Sequence, residues 1–293
     1  MSGPQLARRP GTALLDERAV PWFAAAQAAV DPRHVASGAA LVVAALAVPS
    51  LAALIVDDRQ ILGASVWAKP LKFQLSFALH WLTIAWLLGQ VDPRALASRG
   101  LRAWVISGAV AAIVEVGYIT LQAARGRASH FNFETPLETV LYYALMGGAA
   151  LVMMAATIAV GVRLWRHPRD GGNQALRLGA VLGLVVGSVV TLLVTAPLAA
   201  GAIDGPGPWV SGIRSNAGGL PITGWSTTGG DLRVPHFFAA HLIQALPCAG
   251  WLADRYLPQQ SRAMVVWTTL GIGIVAVAAT FVQALLGLPL IWR

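Results

Sequence analysis

Seven apolar runs, each long enough to cross a bilayer, constrain this chain more than any other feature. A helical span needs about 20 apolar residues to cover ~30 Å of hydrocarbon. Val35–Val56, Leu71–Val91, Leu101–Ala124, Leu137–Leu164, Ala175–Ile203, Pro235–Leu257 and Ala263–Ile291 all qualify. Inside hydrocarbon each run must satisfy its own backbone N–H and C=O groups, and the α-helix does so within one segment. The expected fold is therefore all-α, a polytopic membrane bundle of seven helices. Composition agrees: only 12% of the residues are charged and 56% are hydrophobic, about half the charge that a water-soluble domain carries.

Proline and glycine refine the picture. Pro70 and Pro136 stand just ahead of their runs and Pro235 at the first position of its own, where a missing N–H costs little. Pro49, Pro197 and Pro247 lie inside runs and predict kinks. Gly179, Gly183 and Gly187 recur every four residues, a small-residue packing face on the fifth helix.

Orientation follows from Lys and Arg. With the N-terminus in the cytoplasm, the inner segments carry the larger share of the 21 basic residues, so the chain is expected N-terminus in and C-terminus out. Residues 1–34 are then a cytoplasmic tail, in which Val20, Trp22 and Phe23 fit either an interfacial helix or a plain surface-lying segment. Residues 35–293 form one transmembrane domain with a long outer loop at 204–234. Arg8 and Arg9 are followed by Pro10, Gly11 and Asp16 rather than by an apolar stretch, so no signal peptide is expected. The cell membrane is the expected location and the lipid bilayer the first partner. The net charge of +8 reads as topology signal and lipid-headgroup contact, because the basic residues fall between the runs; nucleic acid is excluded as a partner. One cysteine, Cys248, excludes an intrachain disulfide and a multi-cysteine metal cluster, and is expected to be buried filler.

The polar residues inside the runs carry the functional signal. At 1.5 Å of rise per residue, Ser76 and His80 lie ~9 and ~15 Å below Pro70, Glu115 ~13 Å below Ala124, His241 and Gln244 ~9 and ~13 Å below Pro235, Thr195 ~12 Å from Ile203, and Gln283 ~10 Å from Leu290. Residues from five helices thus share one layer in the outer half. A carboxylate at such depth costs several kcal/mol unless it is paired or solvated. Glu115 and His80 are therefore the expected proton-handling, catalytic pair. His80, His241 and Glu115 are the expected metal-ligating set. Lys72, Gln122, Arg125, His130, Asn132, Asp231, His236 and Gln244 are the expected ligand-binding residues, beneath a glycine-rich outer loop that reads as a lid. Lys69, Arg127 and Arg233 ring the same mouth and suit an anion or a lipid headgroup.

Three functions fit that layer. The first is a membrane enzyme or redox protein with haem b or a divalent metal held by His and Glu. The second is a proton-coupled transporter or ion-binding protein, taking a small molecule or ion from the outer side. The third is a non-catalytic receptor or assembly factor. Ser76 and His80 show the Ser-x-x-x-His spacing that resembles the second span of alkaline-ceramidase-like seven-span zinc hydrolases. That family also needs a His-x-x-x-His on its last span, and here that run holds no histidine, so the resemblance stops at two residues.

Overall fold

The computed structural model of the chain describes residues 30–291; the N-terminal tail expected from the sequence falls largely outside them. The fold is helical, with two minimal two-stranded ladders in the loops. Seven long helices follow one another: α1 (Pro32–Val56), α2 (Ala68–Leu88), α3 (Arg99–Ala124), α4 (Pro136–Arg166), α5 (Gln174–Ala199), α6 (Arg233–Tyr256) and α7 (Gln259–Leu285). All but α6 are long and apolar enough to cross a membrane, which points to a membrane protein. By length and hydropathy together the seven expected spans become six. The sixth helix forms over a similar length, but His236, His241, Gln244 and Pro247 dilute its apolar character.

Several helix starts are written in the local chemistry. Asp31 accepts the Arg33 N–H at 2.8 Å ahead of Pro32, and Asp92 accepts the Arg94 N–H at 2.9 Å ahead of the single turn Pro93–Leu96. Thr135 Oγ1 accepts the Glu138 N–H at 3.2 Å ahead of Pro136. Each pairs a side-chain cap with a proline at the first helical position, where no N–H is missed. Two spans widen locally into π-type turns, Leu141–Gly147 in α4 and Gly183–Gly187 in α5.

Helix ends differ from the apolar runs where loop chemistry intervenes. α2 stops at Leu88, because Val91 leaves to pair with Pro168 of a neighbouring connection. α5 ends at Ala199 rather than Ile203, and Gly201 takes a left-handed φ of 61°. α7 ends at Leu285 rather than Ile291, with Gly287 at φ 73° and Pro289 just beyond. Apolar residues thus continue past the helix into a turn.

Helix α1 packs on α2 and α3, α3 on α4, and α6 lies between α5 and α7. The glycine stripe of α5 is the tightest seam. A Cβ on Gly179 would overlap the Leu246 carbonyl, one on Gly183 would meet Leu242 O at 3.0 Å, and one on Gly187 would meet Ile243 Cγ1 at 3.2 Å. Gly250 returns the contact from α6, facing the Ala175 carbonyl. Small residues let two backbones approach where lipid offers no hydrophobic drive to associate. At the same end Asp254 Oδ2 accepts the Leu176 N–H at 2.8 Å and Asp254 Oδ1 meets Arg262 at 3.4 Å, so a carboxylate from α6 caps the first turn of α5. Large apolar side chains face outward on α1 (Leu41, Val48, Ile55) and α7 (Met264, Trp267, Ile272, Val275), as lipid-facing helices require. Cys248 is exposed on α6 rather than buried.

Candidate functional site

Three connections gather over one end of the bundle. The long loop between α5 and α6 is built around a short antiparallel ladder, Trp209–Val210 against Gly230–Asp231. Asp231 is buried and accepts the Ser226 N–H at 2.8 Å and Arg233 Nη2 at 2.6 Å; Arg233 also reaches Asn216 Oδ1 at 2.7 Å and Gly224 O at 2.9 Å. Gly229 is forced, because a Cβ there would overlap the Ser211 carbonyl. The loop is tied down on two sides. Asn216 N–H donates to Leu62 O at 2.7 Å, and Lys72 Nζ on α2 donates to Thr223 O at 3.0 Å. Arg59 of the first connection donates to Ala124 O at 3.1 Å, and its guanidinium, with the Trp67 indole N–H, holds the Asp57 carboxyl well below the usual range. What the sequence presents as an irregular glycine-rich stretch is an ordered cover.

Beneath that cover stand an acid from α3 and a base from α2. Glu115 on α3 is 5% exposed, and its Oε2 meets no hydrogen-bond donor. The charge that faces it is Lys69, in the first turn of α2. Lys69 Nζ lies 5.8 Å from the Phe73 ring centroid. Among the described residues it has no hydrogen-bond or ion-pair partner of its own, and the two charges face each other without closing to contact distance. Arg233 and Lys72 also bear on Lys69; Arg233 is paired with the Asp231 carboxylate, while Lys72 donates to the Thr223 carbonyl, which leaves its charge in place.

Two imidazoles complete the surroundings. His130, from the second connection, packs on Phe73 at 5.6 Å and on Tyr142 at 5.8 Å between ring centroids. Burial, together with Lys69 and His236, holds its imidazole well below the ordinary value of 6.5, so it is neutral at physiological pH. His236 on α6 pairs Nδ1 with Thr195 Oγ1 at 2.7 Å. That hydroxyl already donates to Thr191 O at 2.7 Å, so the network assigns the Nδ1 proton to His236 and leaves Nε2 as a lone pair.

The expected Glu115–His80 contact does not form. His80 Nε2 pairs with Thr157 Oγ1 on α4 at 3.1 Å, and that hydroxyl donates to Met153 O at 2.9 Å. By the same logic His80 donates its Nε2–H in a helix-to-helix hydrogen bond. His241 takes a third path: its Nδ1 donates to Phe237 O at 2.8 Å, and its ring lies 4.0 Å from that of Phe237, which is 40% exposed. Gln244, one turn on, is half-buried on the same flank. The fit to a metal fails. Among the described residues no three His, Cys, Asp or Glu side chains converge, and His80 and His241 bond to separate partners, Thr157 and the Phe237 carbonyl. Three of the four outer-half histidines hold one ring nitrogen on a hydroxyl or carbonyl at 3.1 Å or less, and the fourth, His130, meets the Ser129 hydroxyl at 3.2 Å.

Gln122, Arg125 and Asn132 serve structure. Glu138, at the start of α4, is 2% exposed and collects Tyr118 OH at 3.0 Å, Gln122 Nε2 at 2.6 Å, Arg127 Nη1 at 3.2 Å and Arg125 Nη1 at 3.4 Å. Gln122 Oε1 accepts Arg125 Nη1 at 2.8 Å. Asn132 is spent on Ala128 O and the Glu134 N–H, inside its own loop. Sequence reasoning missed Glu138 and the bearing of Lys69 on Glu115. The Thr135-Pro136-Leu137-Glu138 capping signature could have found the first. The second needed only that Lys69 sits one helical turn before Phe73, with a stem long enough to reach inward.

Comparison with protein-family models, curated proteins and solved structures gave no match.

Proposed function

We propose that the chain is a seven-span protein of the cell membrane, N-terminus in the cytoplasm, that binds a small polar or ionic ligand from the outer side at the Lys69–Glu115 site and links that binding to a proton on Glu115. This is the behaviour of a proton-coupled transporter or ion-binding protein. One observation carries the reading: Glu115 is buried on α3 with an Oε2 that meets no donor, and Lys69 of α2, the basic group that bears on it, has no hydrogen-bond or ion-pair partner among the described residues. Buried ionisable groups within spans mark ion and proton pathways more often than structural contacts. Asp231 and Arg233 of the cover are paired with each other and Lys72 donates to Thr223 O, so exchange of partners falls to these two. The orientation rests on the Lys and Arg bias. The sixth crossing rests on the length of α6 and its place between α5 and α7.

The test uses the full chain in proteoliposomes with a trapped pH dye, challenged from outside with small organic acids, inorganic anions, amines and sugars. The reading expects at least one solute to move protons in wild-type vesicles and not in Glu115→Gln vesicles. Should every solute leave the dye unchanged, or should Glu115→Gln behave as wild type, a proton-linked ligand site at Glu115 is excluded.

A further inference from the structure

Helix α6 has an outward stripe that the fold leaves unpaired. Its buried face, with Leu242, Leu246 and Gly250, packs on α5 and α7. On the opposite face lie Phe237, His241, Gln244, Cys248, Trp251 and Arg255, none of them buried. Their successive spacings are four, three, four, three and four residues, the heptad repeat of a seam between two helices. Helices α1 and α7 show what hydrocarbon asks of an outward face: Leu41, Val48 and Ile55 on one, Ile272 and Val275 on the other. The outward face of α6 presents an imidazole, an amide and a thiol instead. The His241 Nδ1–H is spent on Phe237 O at 2.8 Å, which leaves Nε2 unpartnered, and the Gln244 amide has no hydrogen-bond partner among the described residues. An amide turned to lipid without a partner is costly, and polar side chains of this kind join one transmembrane helix to another.

We infer that this stripe is the seam of a parallel dimer, and that its occupant is α6 of a second copy of this chain. Copies inserted in one orientation close a two-fold axis only along the membrane normal, which sets each residue of the stripe beside its own counterpart. The stripe suits that arrangement. A glutamine amide is both donor and acceptor, so Gln244 bonds to its counterpart in both senses. Phe237 and Trp251, 40% and 42% exposed, stack on their counterparts on either side of it. Cys248, also exposed, falls one turn beyond Gln244 on the same line. Arg255 ends the stripe in the last turn of α6, where water and salt screen it from its counterpart. At its other end the seam touches the cover, since Trp225 meets Phe237 at 5.4 Å. A foreign helix would need a complementary sequence, whereas this stripe complements itself. The dimer requires the α6 crossing proposed above and no ligand at Glu115. His241 and Gln244, which dilute the apolar character of α6, then serve the seam.

The lone cysteine reads the seam directly. Full-length protein in liposomes is oxidised with copper phenanthroline, which enters the bilayer, and run on non-reducing gels. The expected result is a dimer band that dithiothreitol removes and Cys248→Ala abolishes. In the Cys248→Ala background, Trp251→Cys restores the band and Ile272→Cys, on the exposed face of α7, does not. Counting photobleaching steps at falling protein-to-lipid ratios gives the affinity within the bilayer. Gln244→Leu should weaken association roughly threefold to thirtyfold, the worth of an interhelical hydrogen bond, and Gln244→Asn should weaken it less. Single bleaching steps at every ratio, with no Cys248 band, overturn the dimer. A band from Ile272→Cys, with none from Cys248 or Trp251→Cys, overturns the seam by moving the contact to another face. Equal affinity of Gln244→Leu and wild type overturns the part given to the amide. Cys248 cross-linked in native membranes to a different protein, while the purified chain stays monomeric, overturns the second copy as occupant. Prompt labelling of Cys248 by a membrane-impermeant maleimide in opened vesicles places it in water and removes the α6 crossing itself, a failure distinct from the loss of a dimer whose Cys248 stays shielded.

Discussion

At the scale of residues, the polar groups divide into those that are spent and those that are free. Glu138 is the clearest spent one. Truncation to Ala would strand the Tyr118 hydroxyl as a buried donor without an acceptor and take one of the acceptors of Gln122, a loss of about 1–3 kcal/mol. We therefore expect Glu138→Ala to lower the unfolding temperature in detergent and Glu138→Gln to lower it less; equal stability of Glu138→Ala and wild type would show the network to be idle. His130 makes a pH prediction. Its folded value lies well below 6.5, so its contribution to stability is full above about 6.5. As pH falls below 6.5 the unfolded chain gains a proton that the folded one refuses, and stability is lost down to the folded value. His130→Gln should flatten the fall of unfolding temperature between pH 6.5 and 5, and an unchanged slope would place His130 in a wetter setting. The sequence makes the depth of Glu115 and His80 legible, because rise per residue is fixed, but not their azimuth. Two side chains at one level need not meet when one finds a nearer partner, as His80 finds Thr157 and leaves the Glu115 Oε2 without a donor.

Among elements, the α5–α6 seam is where the sequence speaks most plainly. Glycines at four-residue spacing predict a close helix contact, and Gly179, Gly183 and Gly187 make it with Leu242, Ile243, Leu246 and Pro247. Gly179→Val forces a side chain into the Leu246 carbonyl, and the overpacking should cost about 1–3 kcal/mol. Gly171→Ala, at an exposed turn with open space around it but a left-handed φ of 68°, is the milder comparison. Circular-dichroism melts of the two variants in the same detergent check the order, and a Gly179→Val protein as stable as Gly171→Ala would contradict the seam. The cover was the least legible element. Its glycines reveal that the backbone bends, but not that Asp231 and Arg233 organise it, since that pairing joins residues whose separation in sequence carries no periodic signal.

For the whole molecule, the apolar runs made the helical bundle legible and left α6 ambiguous for the reason that makes it interesting: it carries His236, His241 and Gln244. Topology can be read with a maleimide reagent that does not cross membranes, in a Cys248→Ala background. Ile222, 93% exposed on the cover, should label as cysteine in intact cells, and Arg169, on an opposite connection, only after permeabilisation. Labelling of both in intact cells would reject the proposed crossing pattern. The central claim is that Lys69 and Glu115 compensate one another beneath the cover. A double-variant cycle at pH 8, reading unfolding temperature for Lys69→Gln, Glu115→Gln and the pair together, tests it most directly. The account predicts that the double variant is more stable than Glu115→Gln alone, because removing one member leaves the other buried without compensation; simple addition of the two losses would contradict it.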